Sequence, residues 1–186
     1  MANFTAAIAN RGWYYKPHLI KKIQDVDTIP SQYTTRIQTS INPKHFEPVI
    51  DGLYGVYTDG TAINLQIPDI EICGKTGTAE NYTKINGKRA QLTDHSTFVA
   101  FAPKEAPKIA IAVFIENGYW GSRWAGKIAS LMIEKYIKGD VARKDLENYV
   151  LNGSLEEEYQ KPLLGKPFPI NDGKKISARF LLENDN

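Results

Sequence analysis

Gly74-Lys75-Thr76-Gly77-Thr78-Ala79 is the segment of this 186-residue chain whose residue types and spacing could do chemistry. A lysine on a strand edge offers a fixed positive charge that can orient a substrate carboxylate and tune nearby proton transfers. Thr76 and Thr78 stand two residues apart, so in a strand their hydroxyls share a face and can bind one carboxylate together. Gly77 between them leaves the opposite face open for close packing. The backbone N–H of Thr78 can serve as one oxyanion-hole donor, a role whose removal typically costs about 10²–10³ in rate. A peptide could add alongside such a strand through backbone hydrogen bonds.

Gly74-Lys75-Thr76 also matches the last three letters of the phosphate-binding loop. That loop needs a glycine five residues upstream, where Asp69 stands, and a helix downstream, where Gly77-Thr78 and a polar stretch follow. A nucleotide-binding loop is kept only as a remote alternative, and a glycine-rich turn with a solvated lysine is the plainest one. Lys-Thr-Gly is also one of three elements, with Ser-x-x-Lys and Ser-x-Asn, that mark penicillin-recognising serine enzymes. None of the seven serines, at positions 31, 40, 96, 122, 130, 154 and 177, has a lysine three residues later. An acyl-enzyme needs an activated nucleophile and its base in one constellation. This chain would therefore hold only the carboxylate-binding and oxyanion wall.

The elements that must position this segment follow from periodicity. Met1, Phe4 and Ile8 recur at helical spacing, with Asn10-Arg11-Gly12 as the stop. Trp13 to Asp25 reads as an edge hairpin or extended pair interrupted by Pro17, and residues 26 to 42 carry turn formers without a period. Pro43 opens a helix preceded by Asn42, with Phe46, Val49, Ile50, Leu53, Val56 and Tyr57 on its face and Asp59-Gly60 at its end. Ile67 to Cys73 leads into a strand through the hexapeptide, and Asn81 to Thr93 is expected as a polar exposed loop with Asn86-Gly87 as a turn. Ser96 to Ala102 and Ile109 to Glu116 should form an antiparallel hairpin across Pro103 to Pro107, the second run being apolar on both faces. Ser122 can cap a last helix whose face runs through Trp124, Ile128, Leu131, Met132, Lys135 and Tyr136 to Gly139. Strands followed by a helix make an α+β layer fold. From residue 139 the chain is a charged extension, weakly amphipathic at Leu146, Tyr149, Val150 and Leu155, then a tail without its own core.

Composition narrows the classes. The chain is 42% apolar and 24% charged, which excludes collagen, coiled coil and a wholly disordered chain. Lys and Arg number 23 against 21 Asp and Glu, a net charge of +2 with no dense basic stripe, so no nucleic-acid partner is expected. The longest apolar runs, 109–115 and 98–102, fall far short of a bilayer span, and Asn3, Thr5, Asn10 and Arg11 interrupt any signal core. His18, His45 and His95 lack the companions of a metal motif. His95 reads as a hydrogen-bonding structural residue before it reads as a proton shuttle. Cys73, the single cysteine, has apolar flanks and reads as an inert core residue despite its nearness to Lys75. Trp124 and Tyr136 fit core packing, Trp13, Tyr14 and Tyr15 fit hairpin packing, and Glu156-Glu157-Glu158 fits a solvated face.

The surroundings of the hexapeptide resemble a known family. Residues 1 to 12 followed by Lys16-Pro17-His18 are similar to the stretch ahead of the Lys-Thr-Gly strand in class B penicillin-binding proteins. Residues 94 to 103, Asp-His-Ser-Thr-Phe-Val-Ala-Phe-Ala-Pro, resemble their next strand, with Ser96-Thr97 replacing the usual Ala-Trp. Pro107-Lys108-Ile109-Ala110, Glu116-Asn117-Gly118 and Gly121-Ser122 are similar to the strand and glycine-rich turn before the domain's last helix. Residues 1 to 138 thus resemble the C-terminal half of a transpeptidase domain of the elongation-class penicillin-binding protein 2 type, and residues 139 to 186 an extension beyond it.

The resemblance implies the penicillin-binding protein and serine β-lactamase-like fold, with antiparallel strands packed between helices. It also implies a parent that is a serine-type D,D-transpeptidase, cross-linking peptidoglycan stem peptides and acylated by β-lactams. Lys75 would be the electrostatic anchor, Thr76, Gly77 and Thr78 the substrate-binding strand, and the Thr78 N–H the oxyanion donor. No metal or nucleotide cofactor is implied. The parent would be anchored in the bacterial cytoplasmic membrane with this domain outside, in an elongation-type cell-wall complex. Ser40-Ile41-Asn42 matches Ser-x-Asn in letters, but the family places that element far upstream, and here it stands 35 residues before Lys75, so it is read as a decoy. The nucleophile-bearing helix and the first strands would come from a missing N-terminal half, leaving the faces of 98–102 and 109–115 without a cover and the isolated chain marginally stable or aggregating. A non-catalytic penicillin-binding-like interaction module is the alternative from another class.

Overall fold

A computed structural model describes residues 1–20, 22, 24 and 29–159, which divide into two units. The first comprises Met1–Gly74 with Val99–Ala112, and the second comprises Lys75–Phe98 with Val113 onward.

In the first unit α1 (Ala2–Ala9) starts at Met1 without a side-chain cap. It ends where Gly12, at φ 110, donates its N–H to Ala7 O. A Cβ on Gly12 would stand 3.0 Å from the Phe46 ring, so glycine serves both the turn and the packing there. Strand β1 is only Trp13–Tyr14, and its antiparallel partner is β2 (Ile37–Gln38), in register Trp13↔Gln38 and Tyr14↔Ile37. The expected local hairpin at Trp13 to Asp25 is therefore corrected: the strand stops before Pro17, which has no N–H to give a ladder, and pairs with a later segment. The stretch read as aperiodic carries α2 (Ser31–Thr34) and β2, while residues 21, 23 and 25–28 of that region lie outside the described residues.

Asn42 starts the next helical segment as its residue type demands, its Oδ1 accepting from the Lys44 N–H at 3.1 Å. A single 3₁₀ turn, Pro43–His45, runs into α3 (Phe46–Thr58), which buries Phe46, Ile50 and Tyr57 and ends at Asp59. Val49, expected on the buried face, is exposed. Phe46 and Ile50 meet Ala9, Cys73 and Phe101 in one core cluster, with Ile8, Leu53, Tyr54 and Ala110 packed against it. Cys73 is thus a core residue, and burial pushes its thiol up to about 12.

Strand β3 (Cys73–Ala79) carries the hexapeptide. The next segment corrects the expected polar loop: β4 (Tyr82–Ile85) and β5 (Lys88–Gln91) form an antiparallel hairpin in register Tyr82↔Gln91 to Ile85↔Lys88. Asn86 and Gly87, at φ 51 and 76, make the two-residue turn whose twist suits a hairpin. Strands β6 (His95–Ala102) and β7 (Ile109–Ile115) complete a three-stranded sheet in the order β3-β6-β7, which leaves β3 on an edge. Phe98, Ala100, Phe101 and Ala102 are buried, so the expected loss of cover does not hold for β6; on β7, Phe114 is 50% exposed.

In the second unit α4 (Ala125–Lys138) ends at Gly139 in the left-handed conformation, as expected. Its start differs. Trp124 occupies the cap position without a side-chain bond, and the Ala125 N–H is accepted by Ser96 Oγ at 3.2 Å in place of Ser122. The buried face also differs. Trp124 and Leu131 of the expected face are buried, joined by Ala125, Gly126, Ala129, Ser130, Ile133 and Glu134, whereas Met132 and Tyr136 are 53% and 63% exposed.

Beyond Gly139 the chain continues as α5 (Lys144–Leu151) and α6 (Glu156–Tyr159). Buried Glu134 accepts from Arg143 Nε at 2.8 Å and from the Ala142 N–H at 3.2 Å, which ties this extension to α4. The solvated reading of Glu156-Glu157-Glu158 fails at Glu158, which is 1% exposed. The tail expected beyond Lys161 lies outside the described residues.

Candidate functional site

Along β3 the chain rises from core to surface. Cys73 and Gly74 are buried, Thr76 and Gly77 half-buried, and Lys75, Thr78 and Ala79 exposed. The alternation of a strand puts Thr76 and Thr78 on one face and Lys75 and Gly77 on the other. The Lys75 ammonium donates to Thr76 O at 2.8 Å, with Thr76 Oγ1 at 3.5 Å, so the cation lies against the strand beside the first threonine hydroxyl. Among the described residues β3 stands at the edge of its three-stranded sheet. The segment after Lys75-Thr76 is more strand and then a hairpin, so the helix a phosphate loop requires is not there.

Gly77 is needed for a reason visible in its surroundings. A Cβ there would overlap Thr97 Oγ1 on β6. From the other direction the 119–124 loop lays Gly121 onto the strand: a Cβ on Gly121 would overlap Gly77 O and stand 2.7 Å from Gly77 N and 2.6 Å from Thr97 O. The close packing expected at Gly77 is met by Thr97 of β6, and Gly121 packs on the Gly77 backbone.

A buried polar network fixes that loop. Ser96 Oγ donates to Trp120 O at 2.8 Å while accepting from Ala125, and the Tyr119 N–H donates to Asp94 O at 2.9 Å. Asn81 Nδ2 donates to Asn117 Oδ1 at 2.8 Å, and the Asn81 N–H donates to the Asp94 carboxylate at 3.3 Å. Burial raises the Asp94 carboxyl above its ordinary value, while the bonds from the Asn81 N–H and the Gln91 side chain pull the other way. His95 Nδ1 accepts the Asn117 N–H at 3.1 Å and its ring lies against Phe114, which is the structural role expected of it. Asn117 and Tyr119 take positive φ values of 54 and 68, so these bonds hold a loop of unusual backbone.

Residues that the sequence reading did not mark as part of the site are Ser96, Thr97, Gly121, Arg123 and Glu158. Their available signal was Gly118 and Gly121 flanking two aromatic residues, a spacing that demands close backbone approach. Among the described residues, no three His, Cys, Asp or Glu side chains gather as a metal-holding group. A cleft of about 630 Å³ in the first unit, lined by Tyr54, Tyr57, Gln66, Pro68 and Glu71 among others, does not include Lys75 to Thr78.

The family described as the penicillin binding protein transpeptidase domain matches residues 1–135. The peptidoglycan D,D-transpeptidase MrdA of Acinetobacter baumannii is 30% identical over 175 residues, 87% of this chain and 25% of its own length. PbpA of Mycobacterium tuberculosis is 29% identical over 150 residues, 75% of this chain and 29% of its own. The chain therefore spans about a quarter of the length of these curated relatives. Among solved structures, penicillin-binding protein A from M. tuberculosis as its imipenem acyl-enzyme complex superposes with a TM-score of 0.59 at 30% identity, over 73% of this chain and 29% of that one. Pseudomonas aeruginosa PBP2 in complex with WCK 5153 gives 0.56 at 27%, over 77% and 30%. The α+β architecture is that of the penicillin-binding and serine β-lactamase-like fold. By its matched sequence, this chain belongs to the penicillin-binding protein transpeptidase domain family.

Proposed function

We propose that this chain supplies the Lys-Thr-Gly wall of the active site of a serine-type peptidoglycan D,D-transpeptidase. The observation that carries this reading is the edge strand Lys75 to Thr78, packed against Thr97 and Gly121, in a chain of the transpeptidase family. Lys75 gives the carboxylate end of a stem peptide or a β-lactam its electrostatic anchor. The Thr76 and Thr78 hydroxyls bind that carboxylate on one face of the strand. As the serine attacks the carbonyl, charge develops on the carbonyl oxygen, and the Thr78 N–H stabilises it. The substrate lies along β3 and adds to the sheet beside it.

None of this chain's serines has a lysine three residues on, so the nucleophile and its base come from a part of the protein outside these 186 residues. In this reading residues 1–138 are the second half of the transpeptidase domain and residues 139–186 an extension of it. Among the described residues no helix is long and apolar enough to cross a membrane. The longer protein is proposed to sit in the bacterial cytoplasmic membrane with this domain outside, working in an elongation-type cell-wall complex.

Fluorescent penicillin tests the proposal. The 186-residue chain alone should stay unlabelled. The longer protein should label, lose the label when the serine of its Ser-x-x-Lys becomes alanine, and lose most of it on Lys75→Ala. A longer protein that folds but never labels would instead be a non-catalytic interaction module.

A further inference from the structure

Residues 140–159 lie beyond the matched transpeptidase segment, yet they are bonded to the loop behind the Lys-Thr-Gly strand. Glu158 is buried, and one carboxylate oxygen, Oε1, accepts from Arg123 Nε at 2.9 Å and Trp124 Nε1 at 3.0 Å, with Arg123 Nη2 also 2.9 Å away in the ion pair. A carboxylate taken out of water is retained only where charged or strong donors meet it, and here a guanidinium and an indole N–H converge from two consecutive residues of one loop. Tyr149 stacks on the Trp124 ring with centroids 5.7 Å apart, Lys127 lies 3.8 Å from the centre of the Tyr149 ring, and Gly153 passes so close to Trp124 that a Cβ there would overlap its indole. The extension therefore grips Arg123 and Trp124 through an ion pair, an indole hydrogen bond and an aromatic stack.

Those residues close the 119–124 loop. The Arg123 N–H bonds to Trp120 O, the Gly126 N–H bonds to Gly121 O, and Trp124 is the cap of α4. Gly121 lies directly on the N and O atoms of Gly77, whose peptide leads into the Thr78 N–H. We infer that Glu158 is a positioning residue: through Arg123 and Trp124 it presses the 119–124 loop against Gly77 and so fixes the backbone N–H of Thr78 for an oxyanion. Its kinetic consequence rests on the transpeptidase reading, whereas the mechanical coupling from Glu158 to Gly77 does not.

The test uses Glu158→Gln, Glu158→Leu and Arg123→Lys. In the longer, labelling-competent protein, the acylation rate constant for fluorescent penicillin should fall about tenfold in Glu158→Leu and less in Glu158→Gln, which can still accept from Trp124, because small displacements of a catalytic donor cost rate steeply. The dissociation constant of the initial complex should stay within about twofold, since the effect belongs to the transition state. In the 186-residue chain, the backbone amide NMR signals of Gly77 and Thr78 should shift in all three variants. Unchanged acylation and unchanged Gly77 and Thr78 signals in folded variants would overturn the inference. So would a loss of labelling that merely tracks the unfolded fraction. Lys75→Ala run in parallel separates the two ideas: if it labels normally the transpeptidase reading fails, while the amide shifts still decide the coupling.

Discussion

The chemistry proposed here depends on a few atoms whose surroundings are set by size. A methyl group on Gly121 would run into the backbone of Gly77 and Thr97, so Gly121→Ala should push the loop off β3. Cys73 illustrates the opposite end of the same strand. Burial pushes its thiol from an ordinary 9.0 up to about 12, so the folded state prefers the neutral form. A group whose folded value is raised contributes its full stability below the ordinary value and loses it as pH rises to the folded one, here between 9.0 and about 12. Iodoacetamide at pH 8 should therefore modify Cys73 only under unfolding conditions, and rapid modification of the native chain would show that the thiol is accessible. At this scale the sequence was most legible. The inert reading of Cys73 followed from its apolar flanks, and the shared face of Thr76 and Thr78 from strand alternation alone. Glu158 was misread because three consecutive glutamates carry no sign of which one turns inward; its partners Arg123 and Trp124 are 35 and 34 residues away.

At the scale of elements, helices and strands were found where hydrophobic period was strong, as for α1, α3, β6 and β7, and missed where a long-range partner decided the outcome. The β4–β5 hairpin has few apolar residues to alternate, and Asn86-Gly87 was its only firm local mark. The start of α4 shows the same limit: Ser122 has the right type and place for a cap, but Ser96, from a strand, takes the role. Nothing near Ser96 in the sequence announces it. Ser96→Ala would remove the acceptor of the buried Ala125 N–H, while Trp120 O would keep only its bond from the Arg123 N–H. The expected cost is about 1–3 kcal/mol in urea unfolding; a change below a few tenths would mean that water replaces the hydroxyl.

For the molecule as a whole, the sequence pointed to a charged appendage after residue 139, because α5 and α6 carry many charges and little apolar surface. Two buried glutamates alter that picture within the second unit. Glu134 holds Arg143 just after α4, and Glu158 holds Arg123 just before it, so the extension is tied to both ends of one helix. Such pairs are costly to break on one side, since the remaining charge stays buried. Arg143→Ala should destabilise the chain by about 3–5 kcal/mol, read from the urea midpoint. Replacing both Glu134 and Arg143 by apolar residues should cost much less, and equal costs would show that the ion pair is not what is being lost.

The claim on which these scales converge is that Lys75 anchors the carboxylate of an acylating substrate. The most direct measurement is the second-order rate of labelling by fluorescent penicillin in the longer protein, compared with its Lys75→Ala variant at matched folded fraction. A fall of about a hundredfold or more is expected, in the range seen when one preorganised charge or donor is removed from a transition state. Labelling of the Lys75→Ala protein at the unaltered rate would contradict the assignment of this strand to the active site.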